Sequence, residues 1–218
     1  KPHQQAILPD LAAGCSMADM ANLAKVERCW RELTEVLETP DEIITPVTYI
    51  NSAADLKAFC GEHGGIVCTS TNAPVILDWA FAQREKVRVC PDQHLGRWTG
   101  FKKGIPLDEM VVWDPDLEYG GLTFDQIKKA RILLWKGHCS VHQMFQPAHI
   151  IKFRNQYPDG LVVSHPESAL EVCRQSDFVG STEYIIKVIK DSAPGTRWLV
   201  GTELNLVRRL AQQFPEQR

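Results

Sequence analysis

Residues 47–60 read VTYINSAADLKAFC, and residues 161–173 read LVVSHPESALEVC. Laid over each other, Tyr49-Ile50-Asn51-Ser52-Ala53 falls on His165-Pro166-Glu167-Ser168-Ala169. Each block follows an apolar run rich in β-branched residues and precedes a helical pattern. Each therefore reads as a strand that ends in polar residues and turns into a helix. Working outward, IVCTSTNA (66–73) falls on FVGSTEYI (178–185), which puts Ser70 over Thr182. VRVCPDQHL (87–95) falls on RWLVGTELN (197–205). Upstream, Gly14-Cys15-Ser16 stands before the first set as His138-Cys139-Ser140 stands before the second. Matches in the same order along the chain mark an internal repeat.

Each copy reads alike. A cysteine opens a helix (19–38, 143–156), and a short apolar strand follows (47–51, 161–167). A helix, a strand, a helix and a third strand come next. Short apolar runs alternating with helical periods give an α/β fold of βαβ units with parallel sheets. Ligands of such sheets sit beyond the carboxyl ends of the strands. The polar residues fall at those ends: Tyr49, Asn51, Thr69, Ser70, Asp92 and His94 in one copy, and His165, Glu167, Ser181, Thr182, Thr202 and Glu203 in the other. Residues 104–132 have no counterpart in the second copy and read as an insertion before a strand at 131–135.

Composition excludes several classes. The chain is 44% hydrophobic and 23% charged, enough apolar residue for a packed core. A net charge of −3 offers no basic footprint for nucleic acid. No apolar run approaches the ~20 residues that span a membrane, and KPHQQAILPD lacks a signal-peptide core. The expectation is a cytoplasmic protein whose seven cysteines are reduced thiols or metal ligands. Cys29, Cys60 and Cys173 lie at apolar helix positions, and Cys68 and Cys90 in strands; buried thiols are common there. Cys15 and Cys139 differ, because the repeat gives them one shared position before a helix, where N–H groups favour a thiolate. Two thiolates are fewer than the roughly four ligands of a closed zinc or iron–sulfur site. Three would leave one iron open as a Lewis acid.

Taken together, GCSMADM, VTYINSAADLKA, CTSTNA, PDQHLGR, WKGHCSVH, SHPES, DFVGST and VGTE resemble, in order, the pattern of the quinolinate synthase family, from about Ile7 to Leu210. The resemblance implies repeated three-layer αβα modules about a pseudo-threefold axis, of which this chain would hold two of three. Residues 1–14 would be a remnant of the first module, 15–138 the second and 139–218 the third. It implies a 4Fe-4S cluster held by three cysteines, two of them Cys15 and Cys139, the third expected outside this chain. It implies condensation of iminoaspartate with dihydroxyacetone phosphate to quinolinate in NAD biosynthesis, with L-aspartate oxidase or dehydrogenase as the upstream source. Tyr49, Asn51, Ser70, His142, His165, Glu167 and Thr182 resemble the substrate pocket.

Within that resemblance, Glu167 is the expected proton acceptor, His165 the group that holds or protonates an intermediate, and Tyr49 a hydrogen-bond donor. Each has a plainer reading. Ser70 and Thr182 could be helix N-caps, Tyr49 a core aromatic, and Asp92 a cap in a structural turn. Two other functions compete: a hydrolase or transferase built on Cys139 and His142, and a non-catalytic domain that binds a small molecule.

Overall fold

The computed structural model describes residues 14–218; most of the segment read as a module remnant, 1–14, lies outside the described residues. The chain opens with α1 (Ser16–Asp19), α2 (Leu23–Leu37) and α3 (Pro40–Ile43), which lead into β1 (Ile44–Tyr49). Then come α4 (Ala54–Glu62), β2 (Ile66–Cys68), α5 (Ala73–Gln83), β3 (Lys86–Cys90) and α6 (His94–Lys102). β4 (Met110–Trp113), α7 (Phe124–Lys129) and β5 (Ile132–Trp135) complete a first set. The second runs α8 (Ser140–Gln143), α9 (Pro147–Gln156), β6 (Leu161–Ser164), α10 (Leu170–Gln175), β7 (Phe178–Val179), α11 (Thr182–Lys190), β8 (Trp198–Gly201) and α12 (Leu204–Gln213).

Both sheets are parallel. Their orders are β2-β1-β3-β5-β4 and β7-β6-β8, so the first three strands of each copy are arranged alike. The registers also agree. Val47 pairs with Ile66 and Thr48 with Val67; Val163 pairs with Phe178 and Ser164 with Val179. The third strand corrects the sequence alignment by one residue. Thr48 pairs with Cys90, whereas its equivalent Ser164 pairs with Gly201 rather than Val200. Asp92 therefore stands over Glu203, not Thr202.

Three boundaries also move. The helix expected over 19–38 is two helices, because Met20–Asn22 leave the helix and Asn22 caps α2 by accepting the Lys25 N–H at 3.0 Å. The helix expected over 143–156 splits in the same way into α8 and α9. β1 starts at Ile44, ahead of Pro46; β2 joins only at the level of Val47, so the missing proline donor falls before the first β1–β2 pair. The inserted segment supplies β4, which pairs in parallel with β5.

The core explains the strand sequences. Ile132, Leu133, Leu134 and Trp135 of β5 are all 0% exposed, as expected of a strand covered on both faces. Each such side chain contributes about 1.5–3 kcal/mol by leaving water. α2 covers one face with Val26, Cys29, Trp30, Leu33 and Val36, a single helical stripe. Among the described residues, no helix is long and apolar enough to cross a membrane.

Candidate functional site

Cys15 and Cys139 occupy the same place in two one-turn helices. Each is the N-cap, in extended conformation, and neither uses its side chain to cap. The Asp19 N–H donates to the Cys15 carbonyl and the Gln143 N–H to the Cys139 carbonyl, both at 3.1 Å. The serines that follow meet across the copies: Ser16 Oγ and Ser140 Oγ lie 3.4 Å apart, although 124 residues separate them. Cys15 is exposed and Cys139 half-buried. The remaining cysteines are buried, as their positions predicted. Burial pushes the thiols of Cys29, to about 11, and of Cys68 and Cys173, to about 12, so these stay protonated core groups.

Two loops are clamped beside Cys139. The Gln93 N–H donates to the Gly137 carbonyl at 3.1 Å. A Cβ on Gly137 would sit 1.9 Å from the Pro91 carbonyl oxygen, so only glycine allows this approach. The Trp135 indole N–H donates to the Met20 carbonyl at 2.9 Å, tying α1 to the end of β5.

Next to Cys139 lies a buried polar cluster. His142 Nδ1 is 3.0 Å from Glu167 Oε2, and His142 Nε2 is 3.3 Å from Thr202 Oγ1. The His142 and His165 rings stack, and the Glu167 N–H donates to His165 Nδ1 at 3.3 Å. That bond leaves Nε2 of His165 as the N–H donor of a neutral ring. The Tyr49 hydroxyl lies near Ser70 and Glu167, both of which act on its titration. Gln143 holds the turn from outside, its Nε2 donating to the Glu167 carbonyl at 3.2 Å.

Electrostatics sort these groups. Burial pushes the Glu167 carboxyl up, but His142, His165 and Tyr49 together hold it below the usual carboxylate range. Burial pulls His142 down, but its bonds to Cys139 and Glu167 outweigh that and push it up to about 9. Burial takes His165 the other way, to about 4. Burial and the Glu167 charge raise the Tyr49 hydroxyl, which stays protonated. The resting site is an ionised Glu167 paired with a cationic His142, beside a neutral His165.

Of the residues singled out from sequence, Tyr49, Ser70, His142, His165 and Glu167 come together, with Cys139 at their edge. Asn51 and Thr182 follow β1 and β7 as expected but are exposed. Neither Ser70 nor Thr182 is an N-cap; Asn72 holds that position in α5 without a side-chain capping bond, and Ser181 caps α11 through its side chain. Thr202, one of the polar strand-end residues, was not among the expected site residues, and its bond to His142 adds it. Its position at a strand end was the available signal, and the shifted third-strand register hid its role.

Cys139, His142 and Glu167 form a group that could hold a metal ion, with one ligand atom of each within 4.8 Å of the others. Both nitrogens of His142 are already engaged. Neither Cys15 nor Cys139 uses its thiol to cap the helix it opens, and both are soft sulfur donors at equivalent positions.

Comparison with known proteins identifies the family. The family model described as quinolinate synthetase A protein matches residues 1–218. A quinolinate synthase of Rhodopirellula baltica is 55% identical over 97% of this chain and 54% of its own length. One from Herpetosiphon aurantiacus is 53% identical over 98% of this chain and 57% of its own, and one from Corynebacterium glutamicum 51% over 98% and 54%. The chain thus spans just over half the length of these relatives. The family match over residues 1–218 and these identities show that the chain belongs to the quinolinate synthetase A protein family.

Proposed function

We propose that this chain is part of a quinolinate synthase, which condenses iminoaspartate with dihydroxyacetone phosphate to quinolinate in NAD biosynthesis, in the cytoplasm. The observation that carries this reading is the convergence of Tyr49, Glu167 and His142 at the carboxyl ends of β1 and β6, beside Cys139, in a chain of this family. On this reading, 15–138 and 139–218 are two of three modules around a pseudo-threefold axis, and 1–14 belongs to another. L-aspartate oxidase or dehydrogenase would supply the iminoaspartate.

Cys15 and Cys139 would hold two corners of a 4Fe-4S cluster, with a third cysteine from outside this chain. When bound, the cluster would supply an open iron that acts as a Lewis acid toward substrate oxygen. The roles of the chain's own residues follow from their charge states. Glu167 is ionised and buried, and takes a proton from carbon in the condensed intermediate. Its ion pair with His142 fixes the carboxylate through Oε2. His165 is neutral, so it holds an intermediate through an Nε2–H hydrogen bond instead of delivering a proton as a cation. Tyr49 stays protonated and orients both Glu167 and a substrate oxygen. Ser70 and Thr182, at the starts of α5 and α11, lie where helix N–H groups favour carboxylate or phosphate.

The full-length enzyme, purified without oxygen, is expected to form quinolinate from the two substrates. Glu167→Gln should lower kcat by about 10²–10⁴-fold, the usual worth of a general base. An intact enzyme that makes no quinolinate, or a Glu167→Gln variant at full rate, refutes the reading. The family match disfavours the Cys139–His142 hydrolase, and Ala18 stands where Cys15 would need an equivalent histidine.

A further inference from the structure

A groove of about 650 Å³ runs between the two copies, beside the buried cluster. Its inner end is formed by Ser70, ahead of α5, and by Pro166, which stands between His165 and Glu167 in the turn after β6. One wall is α6, from Leu95 through Trp98 to Lys102 and Lys103. The other is the segment around β7, from Ser176 to the first turn of α11. Leu95 to Lys102 spans about 10 Å of helix. The groove thus reaches from the edge of the cluster to the surface, and its size suits a small molecule.

The charges along it are not balanced. Lys103 Nζ bonds Asp78 Oδ1 at 2.5 Å. Asp177 is held by Arg154 at 3.0 Å and by the Val162 N–H at 2.8 Å. Lys102 is exposed and meets no carboxylate within salt-bridge distance among the described residues. Its Nζ lies over the Trp98 ring, 5.7 Å from the centroid. The negative face of an indole holds an ammonium in place without using up its three hydrogen-bond donors. The outer end of the groove therefore presents an unneutralised, oriented cation.

The repeat shows that the fold alone does not call for it. The register that sets Asp92 over Glu203 also sets Lys102 over Gln213. α12 ends on Gln213 with no cation in its last turn, whereas α6 ends on Lys102. We propose that the groove is the path by which a phosphorylated small molecule reaches the site, and that Lys102 is the residue that captures its phosphate at the outer end. This rests on the functional reading above, in which one substrate carries a phosphate. Lysine acts on phosphate as a point charge. A cation at the mouth of a cleft raises the local concentration of anions, and salt screens it. Capture precedes chemistry, so its effect falls on KM and not on kcat.

The test uses the full-length holoenzyme purified without oxygen. Lys102→Gln should lower kcat/KM for dihydroxyacetone phosphate by about 3–10-fold at low salt and leave kcat unchanged. The difference should vanish near 1 M salt, where screening sets in within about 3 Å. Lys102→Arg should restore the low-salt value. Lys190→Gln, which removes the same charge at the far end of α11, should have no effect. Lysine acylation read by mass spectrometry needs no turnover. Lys102 should be protected by dihydroxyacetone phosphate and not by dihydroxyacetone. An unchanged kcat/KM in Lys102→Gln, an equal loss in Lys190→Gln, or Lys102 labelled at one rate with and without the phosphate overturns the proposal. Protection of Lys102 in an enzyme that makes no quinolinate keeps the phosphate capture and sinks the functional reading instead.

Discussion

His142 and His165 stack face to face, with ring centroids 4.3 Å apart and planes 11° apart, yet hold opposite protonation states. Glu167 makes the difference. Its Oε2 is 3.0 Å from His142 Nδ1 but 3.9 Å from His165 Nδ1. The nearer ring takes the positive charge, and a second cation stacked on the first is disfavoured. Nuclear magnetic resonance titration of the cluster-free protein should find His142 protonated up to about pH 9 and His165 neutral down to about pH 4. The signs for stability differ. The His142 contribution is complete below its ordinary value of about 6.5 and is lost as pH rises through about 9. For His165, the unfolded chain takes up a proton that the fold refuses, so stability falls as pH drops from about 6.5 toward 4. Two histidines titrating together near their ordinary value would contradict this arrangement.

Thr202 holds the other side of the His142 ring, at 3.3 Å from Nε2. Thr202→Val keeps the shape and removes the hydrogen bond, leaving a buried imidazolium N–H unpaired. The expected cost is about 1–3 kcal/mol in stability, read by urea unfolding, together with a lower His142 pKa. A variant whose His142 titrates as in the wild type would show that Thr202 is not a working partner.

The thiols should separate cleanly by reactivity. Cys15 is exposed and Cys139 half-buried, whereas Cys29, Cys60, Cys68, Cys90 and Cys173 are buried. A thiol reagent followed by mass spectrometry on the native, cluster-free protein should label Cys15 first, then Cys139, and spare the other five until unfolding. Early labelling of Cys29 or Cys173 would mean that the core is packed differently.

Gly137→Ala tests the clamp between the loops after β3 and β5. Its new methyl group would meet the Pro91 carbonyl at 1.9 Å, a clash with backbone that no rotamer relieves. The loops must part, and Cys139, two residues on, must shift with them. A destabilisation of about 1–3 kcal/mol is expected, which lowers Tm by several degrees in a chain of this size. Unchanged Tm and cluster content would refute the clamp.

Much of this architecture was legible because the repeat carries its strand ends as polar pairs. Tyr49 over His165 and Asn51 over Glu167 set the first strand, and the register Val47–Ile66 matches Val163–Phe178. The third strand misled because the two copies differ by one residue in its placement, and a one-residue slip relabels every side chain beyond it. Asp92 was thus set over Thr202 instead of Glu203, and the partnership of Thr202 with His142 stayed hidden. The helices after Cys15 and Cys139 were read as continuous because the apolar period runs on, whereas Asn22 and Gln146 restart them. Asn51 and Thr182 lie at the expected strand ends but not in the buried cluster. Sequence position fixes the edge of the sheet, while burial depends on what packs over it.

The central claim is that Cys15 and Cys139 hold the same metal centre, and iron with acid-labile sulfide content tests it most directly. The full-length protein purified without oxygen is expected to carry a 4Fe-4S cluster with its visible thiolate-to-iron absorption. Cys15→Ala and Cys139→Ala should each lose it, while Cys173→Ala, in a residue buried in α10, should retain it. Full iron and sulfide content in both Cys15→Ala and Cys139→Ala would contradict the account.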